Sequence, residues 1–596
     1  MTDTSTDTSS STDVGTIGPA GRDLDTAPPP TTWRSTGAAA LAWWRWLVRG
    51  RRGTALGVVI VGLAVALPLP TLFRYQGPPM EEGFMLVFPE RVLAGDLPNR
   101  DFLHLYGPGS LWALAAWFRL VGTTLAAERV FGLAQHLGII FGLFALALPW
   151  GRKVATTCGL LGVLLVITPI GLTALAWNGA VALGVIGCTL VLPGAARLVE
   201  GRTGARLLLV AGGVVWGLAL LFRPDLVVAV GLAGLALVWR RWRWDLVRPI
   251  AVGLLVGVAP VLVHLVTAGF GPSFEGMFLQ PVLELRGGRH LPIPPSWDRL
   301  DGALAAVAQL RVPDWPLPML SASQQVTLWF FALPLSALFV VGTGVLTVRR
   351  EPTRPRARVL LVVGALGLGL LPQAFQRPDT THLAWVSCVS MVFLPVACAQ
   401  WAEWAAARRP RLPAASLRAA AALLPLVLVV LVLPAYTART WTDLTRQNLT
   451  GDAFGWAVRR DDRTFFLGAP DIAANAQAVT DELDGLVQPG DRLLTGPADL
   501  SRTPYSDAYF YFLFPETVPA TRYIEMDPGI ADAADSGLAD EVLSADWLIL
   551  SNVWNTWDEP NDSRLSGDPT PNEVVRDHFC RVGDQGPYYE LWRRCR

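Results

Sequence analysis

The chain has little charge and almost none of one cation. Asp, Glu, Lys and Arg make up 16% of its 596 residues, and Lys153 is the only lysine. Basic and acidic residues number 49 each, so the formal charge is zero. That balance excludes the basic surface a nucleic-acid partner would need. No Walker loop, HExxH, zinc-type Cys/His spacing or GxSxG motif occurs, which argues against cytosolic nucleotide-driven chemistry. The N-terminus also lacks the short apolar core and small-residue cleavage site of a signal peptide. Residues 1 to about 35, rich in Ser, Thr, Asp, Gly and Pro, are expected to form a disordered tail because they bring too little apolar surface to order themselves.

What the chain does contain is apolar sequence. It is 52% hydrophobic, with 24 Trp and 24 Phe, and this composition is arranged in repeated runs of membrane-spanning length. The runs cover roughly 53–73, 129–149, 154–172, 176–193, 206–222, 226–239, 249–268, 325–347, 358–375, 382–400 and 418–435. A polytopic α-helical membrane protein of about eleven crossings is expected, with residues 36–436 as its membrane part. SLWALAAWFRLVG, residues 110–122, is apolar but short and contains Arg119, so it is expected to lie at the interface. The connections WRWLVRGRR, GRK, ARLVEGRTGAR, WRRWRWDLVR, RREPTRPRAR and AARRPRLPAASLR carry most of the arginines of this half. The positive-inside rule places them, and the N-terminus, in the cytoplasm and the C-terminus outside.

On that topology three polar clusters share the outer face. The loop PPMEEGFMLVFPERVLAGDLPNRDFLHLYGPGS holds Glu81, Glu82, Arg91, Asp96, Arg100, Asp101 and His104. FRPD holds Arg223 and Asp225, and QRPDTTH holds Arg377, Asp379 and His382. Ionisable groups at such depth are costly and mark sites or pairs. An Arg-Pro-Asp corner is equally read as a local ion pair where proline breaks a helix, or as a solvated interfacial anchor. His136 and His264, inside apolar helices, are expected as hydrogen-bonded core residues. The connection 269–324, with LELRGGRHLPIPP and the amphipathic SWDRLDGALAAVAQL, is expected to form a lid or a structural cap. In it Arg286, Arg289 and His290 are candidate donor contacts.

Residues 437–596 regain acidic and polar composition and are expected to form an extracytoplasmic α/β domain. Strands are expected at DRLLTGP, TRYIEM, ADWLILS and GPYYELWRR, and helices at DIAANAQAVTDELDGLV and NEVVRDHFC. Cys158, Cys188, Cys388 and Cys398 fall in helices and read as small apolar residues. Cys580 and Cys595 fall in the outward region, where a disulfide can persist.

A membrane helix followed by an outward loop with an acidic pair, Glu81-Glu82, a Gly95-Asp96-Leu97-Pro98 turn, an aromatic-X-Pro segment and an interfacial helix ending near Arg119 resembles the GT-C glycosyltransferases. That superfamily includes protein O-mannosyltransferases, lipid A aminoarabinose transferase and actinobacterial arabinofuranosyltransferases. The resemblance implies transfer of a sugar from a polyprenyl-phosphate donor to a glycan, lipid or protein acceptor of the cell envelope. It implies active-site roles for Glu81, Glu82 and Asp101. The pair is Glu-Glu where Asp-Glu is usual, and Tyr-Gly-Pro stands where several subfamilies carry Lys-Pro-Pro, so sugar and subfamily stay open. The chemistry of transfer asks for a carboxylate base and for arginine forks on the departing phosphate. Arg223 and Arg377 are the candidate phosphate ligands, with Asp225, Asp379, His382 and His104 around them. No cofactor is read from the sequence, and a divalent-metal requirement stays open. A transporter or lipid flippase, and a non-catalytic envelope scaffold, are the alternatives.

Overall fold

A computed structural model of the chain describes residues 50–240, 242–299, 315–352, 354–408, 414–452 and 455–595. The tail expected to be disordered lies outside these residues, as does most of SWDRLDGALAAVAQL. By packing, the chain divides into residues 1–58 and 59–596. Of the first unit the described part is the start of a helix, Gly50–Ala66; everything below concerns the second.

Among the described residues ten helices are long and apolar enough to cross a bilayer, beginning with Arg52–Leu72 and ending with Ala414–Val432. The chain is a multi-pass membrane protein. The run at 226–239 forms Pro224–Val238, a 3-10 turn of three residues followed by an α-helix of twelve, shorter than those ten. Gly109–Val121 is the other short apolar helix, as expected for SLWALAAWFRLVG.

Glycine decides one of the closest helix crossings. A Cβ on Gly213 or Gly217 would lie 2.2 or 2.3 Å from backbone oxygens of the helix Trp244–Val258. One on Gly253 or Gly257 would lie 2.1 Å from oxygens of Ala205–Phe222. Both helices carry glycines four apart, the small-residue spacing that lets membrane helices touch backbone to backbone.

The opening polar stretch, expected as a loop, is largely helical. Glu81–Ala94 is a helix closed by Gly95 at φ 106°, a left-handed cap that suits glycine. The connection 269–324 begins with Phe270–Phe274, a π-helical stretch Glu275–Glu284 and Arg286–Arg289. His264 donates through Nε2 to Asn99 Oδ1 at 2.8 Å. His136 departs from expectation, being buried with neither ring nitrogen partnered among the described residues.

The C-terminal part is a small α/β domain. β1 (Trp456–Arg460) and β2 (Arg463–Leu467) form a hairpin. β3 (Arg492–Pro497), β4 (Val518–Pro519), β5 (Trp547–Ser551), β6 (Phe579–Val582) and β7 (Tyr589–Arg594) form a mixed sheet of order β4-β3-β5-β7-β6. β5 sits at its centre and is buried along its whole length, as expected of a strand covered on both faces. The helices Pro470–Asp484 and Thr570–His578 fall where the sequence places them. TRYIEM does not form a strand: residues 521–526 are irregular and end on Met526 at φ 51°. Cys580 and Cys595 are disulfide-bonded across β6 and the end of β7, with Cα atoms 5.3 Å apart. Two backbone bonds tie this domain to the opening polar stretch, Gly77 N to Phe466 O at 3.1 Å and Leu103 N to Arg522 O at 2.9 Å.

Candidate active site

Glu81 and Glu82 open the helix Glu81–Ala94, where negative charge is favoured by the partial positive end of the backbone dipoles. Consecutive helical residues point about 100° apart, and the two carboxylates meet different surroundings. Glu82 is 1% exposed, and its two oxygens accept from Nε and Nη2 of Arg129 at 2.7 Å each. Nη1 of Arg129 donates to the Leu72 carbonyl at 2.9 Å. Glu82 therefore pins the start of its helix to its neighbours. Glu81 is half-buried and accepts the Tyr505 hydroxyl on Oε2 at 2.5 Å. The Tyr505 ring packs on Trp554 and Trp557, with centroids 4.2 and 5.4 Å away.

FRPD and QRPD turn the same corner. Arg223 caps the end of Ala205–Phe222 at φ −140°, ψ 98°, and Arg377 caps Leu371–Gln376 at φ −145°, ψ 93°. The following proline forces each arginine into extended backbone and ends the helix. It also leaves a cation at the helix C-terminus, where the dipole favours it. Each arginine then pairs with the aspartate two residues on. Arg223 donates through Nε and Nη2 to Asp225 at 2.9 and 2.7 Å, and its guanidinium lies over Tyr106 and Trp177 at 4.1 and 5.1 Å. Arg377 donates through Nε to Asp379 at 2.7 Å, through Nη1 to Glu559 at 2.8 Å and the Arg289 carbonyl at 2.9 Å, and through Nη2 to Glu559. The local ion pair is thus present at both corners, and at Arg377 it is part of a larger network. Asp379 also caps the helix Thr380–Ser390, accepting from the His382 N–H at 2.8 Å and meeting His382 Nδ1 at 2.8 Å. Burial pushes the Asp379 carboxyl up, but His382 and Arg377 outweigh it and hold the group below the ordinary carboxylate range.

The C-terminal domain supplies acids that the sequence reading missed. Asp527 accepts from Arg289 Nη2 at 2.8 Å. Burial raises Glu559, but the paired Arg377 more than offsets it and keeps the carboxylate low. Glu525 is buried, and its Oε1 has no partner among the described residues. Burial first, then the charges of Asp527 and Glu81, hold its carboxyl well above the usual range against the pull of Arg289.

The Tyr106 phenol, raised to about 12 by burial, feels Arg223 and Asp225 as well as Glu525 and Asp527. Arg289 stands among Asp527, Arg377 and Glu559. Glu525 feels both Arg289 and Glu81. Hydrogen bonds join Asp527, Arg289, Arg377, Asp379 and Glu559 in one network, while Arg223 with Asp225 and Tyr106, and Glu81 with Tyr505, form separate contacts. The residues RGGR enter the network by close packing: a Cβ on Gly288 would lie 2.6 Å from the Pro528 carbonyl.

Other candidates make local contacts. Asp101 accepts from the Leu97 N–H at 2.8 Å and from Arg100 at 2.9 and 2.8 Å, closing the turn after Gly95. Arg91 pairs with Asp96 at 2.9 Å in the same turn. His104 is buried edge-on against Phe88 and Tyr106, at 5.6 and 5.5 Å, and burial pushes its imidazole down to about 3, so it is neutral and supports Tyr106. Among the described residues no group of three or more His, Cys, Asp or Glu is placed to hold a metal ion.

No family model and no curated protein matches the chain. Among solved structures it is similar to ArnT from Cupriavidus metallidurans bound to undecaprenyl phosphate, at 15% identity and a TM-score of 0.48, over 90% of this chain and 98% of that one. It is also similar to the archaeal oligosaccharyltransferase AglB from Archaeoglobus fulgidus in complex with an inhibitory peptide and a dolichol-phosphate. There the identity is 11% and the TM-score 0.45, over 91% of this chain and 74% of that one. At these scores the likeness carries no argument about activity, which rests on the site.

Proposed function

We propose that the chain is a GT-C-type membrane glycosyltransferase that moves a sugar from a polyprenyl-phosphate donor to a hydroxyl of a cell-envelope acceptor on the extracytoplasmic side. The observation that supports this reading is a half-buried carboxylate, Glu81, opening the helix Glu81–Ala94, in a chain whose two Arg-Pro-Asp corners end apolar helices. Glu81 is the base: it takes the acceptor proton as the acceptor oxygen bonds to the anomeric carbon. The bond from that carbon to the phosphate oxygen breaks, and polyprenyl phosphate leaves with one more negative charge. Both oxygens of Glu82 are engaged by Arg129, so Glu82 positions the helix.

Arg289 and Arg223 receive the phosphate. Arg377 donates from Nε, Nη1 and Nη2 to protein oxygens, and is assigned a positioning role with Asp379 and His382. Arg289 has one such bond from its side chain, to Asp527, and Arg223 turns only one edge of its fork to Asp225. A planar fork suits phosphate oxygens.

The orientation has its own support. The arginine-rich connections before Ala205–Phe222 and Arg356–Gln376 lie at one end of these segments, and Arg223 and Arg377 follow the other end. The positive-inside rule then puts the site, and with it residues 437–596, outside.

The test uses full-length protein in nanodiscs with a panel of polyprenyl-phosphate pentoses and hexoses. Release of polyprenyl phosphate is expected from one of them, and Glu81→Gln should abolish release while keeping donor binding. Release undiminished in Glu81→Gln would remove the proposed base, and absence of both binding and release across the panel would overturn the reading.

A further inference from the structure

The C-terminal domain contains a second feature, outside the residues assigned to transfer. A cavity of about 490 Å³ is lined by Arg502, Asn555, Trp557, Asp558 and Arg564, among others. Its size lies within the roughly 300–1,000 Å³ usual for small-molecule sites. Its lining combines one indole, Trp557, with polar groups of both donor and acceptor type. Nε of Arg502 is buried and has no partner among the described residues, while its Nη2 donates to the Trp557 carbonyl at 3.3 Å.

The cavity is joined to the catalytic carboxylate through contacts already described. Trp557 stacks on Tyr505, and the Tyr505 hydroxyl donates to Glu81. The loop that supplies Asn555, Trp557 and Asp558 continues directly into Glu559, which is bound to Arg377. Asn561 donates to Glu559 at 2.9 Å and steadies that carboxylate from the same loop. The cavity wall and the network that positions Arg377 are therefore one piece of chain.

We propose that this cavity is an acceptor subsite that holds a sugar unit of a glycan acceptor, remote from the unit that reacts; this rests on the glycosyltransferase reading above. A sugar ring presents flat patches of C–H that pack on the face of an indole, whose electron-rich surface attracts them. Its rim of hydroxyls needs donors and acceptors side by side. Arg502 and Arg564 donate, Asp558 accepts, and Asn555 does both. A peptide would ask for backbone partners or deep side-chain pockets, and a lipid would ask for a wider apolar wall. Glycan recognition by this wall would keep the acceptor chain on the enzyme while its reactive hydroxyl reaches Glu81.

The experiment measures binding to full-length protein in nanodiscs by saturation-transfer NMR and titration. The probes are neutral gluco-, manno- and arabino-configured trisaccharides, a Ser/Thr-rich hexapeptide, and polyprenyl phosphate. At least one trisaccharide should bind, and Trp557→Ala should weaken it by about tenfold or more. Asp558 and Arg564 are exposed, so Asp558→Ala and Arg564→Ala should weaken it too without endangering the fold. Glu81→Gln should bind the same trisaccharide as the parent does, and all these variants should bind polyprenyl phosphate equally. No trisaccharide binding, binding indifferent to the three cavity variants, or hexapeptide binding that Trp557→Ala removes would each overturn the subsite. Trisaccharide binding with neither polyprenyl-phosphate binding nor donor turnover would instead overturn the glycosyltransferase reading beneath it.

Discussion

Arg129 holds both carboxylate oxygens of Glu82, at 2.7 Å each, in a pair where both side chains are almost fully buried. Removing one partner of such a pair leaves the other charge buried and alone. Arg129→Met should therefore destabilise the protein by roughly 3–5 kcal/mol. Glu81→Gln, at the next position but half-buried, keeps an acceptor for Tyr505 and should cost only about 1–1.5 kcal/mol, the difference between a charged and a neutral hydrogen bond. Thermal unfolding in one detergent checks both, and equal losses in the two variants would erase the division of labour between the acids.

Among the described residues Tyr505 donates to Glu81 through its hydroxyl. A hydrogen bond to a charged group contributes roughly 1.5–3 kcal/mol, so Tyr505→Phe should slow transfer by roughly ten- to a hundredfold. The ring and its packing on Trp554 and Trp557 remain, so the loss of stability should be confined to that one hydrogen bond. Unchanged kcat would show that the hydroxyl does not orient the base.

The arginines should separate by their engagement. Arg289→Lys removes a planar fork from the proposed phosphate site and should raise the donor KM by about tenfold with little loss of stability. Arg377→Lys leaves Glu559 and Asp379 incompletely paired and should lower the unfolding temperature more than it raises the donor KM. The reverse pattern in steady-state kinetics and calorimetry would restore Arg377 as the phosphate ligand.

Asp507 gives a pH signature. Burial pushes its carboxyl from 3.8 to about 6, with Ser551 and Trp554 acting in the opposite direction. Between these values the folded protein holds a proton that the unfolded chain has released. The contribution of Asp507 to stability is therefore complete below about pH 4 and is lost as pH rises through about 6. The loss is on the order of 1.4 kcal/mol for each pH unit of separation. Asp507→Asn should flatten the unfolding temperature over that window, and a profile superimposable on that of the parent would sink the assignment.

The Cys580–Cys595 bond closes a loop with a sequence separation of 15, a length for which the chain-entropy account gives about 3 kcal/mol of stabilisation. On an outward domain, thiol reagents should reach neither cysteine in denaturing, non-reducing conditions and should reach both after reduction. Free labelling without reductant, with the domain protected from external protease in intact cells, would invert the proposed orientation.

The membrane half was legible because hydrophobic run length is a local property: a segment apolar enough to leave water must form its own backbone bonds, whatever surrounds it. Pro224–Val238 falls where the apolar run 226–239 places it, as the shortest of these segments. GVVWG and GLLVG held a readable packing signal that run length alone does not use. The Arg-Pro-Asp corners were legible as motifs, since proline sets the conformation of the residue before it.

Local sequence by itself determined the apolar helices, the acidic pair, the two corners, and the strands β3, β5 and β7. Only the tertiary structure decided which charges meet. Nothing near Glu81 in the chain announces Tyr505, and nothing near Arg377 announces Glu559, because each partner arrives from more than 150 residues away. TRYIEM alternates like a strand, yet it lies irregular, with Glu525 buried in it. Its local preference is outweighed where tertiary contacts gather around a site. Glu81 and Glu82 were indistinguishable as letters; burial against Arg129 separated them, and burial belongs to the fold.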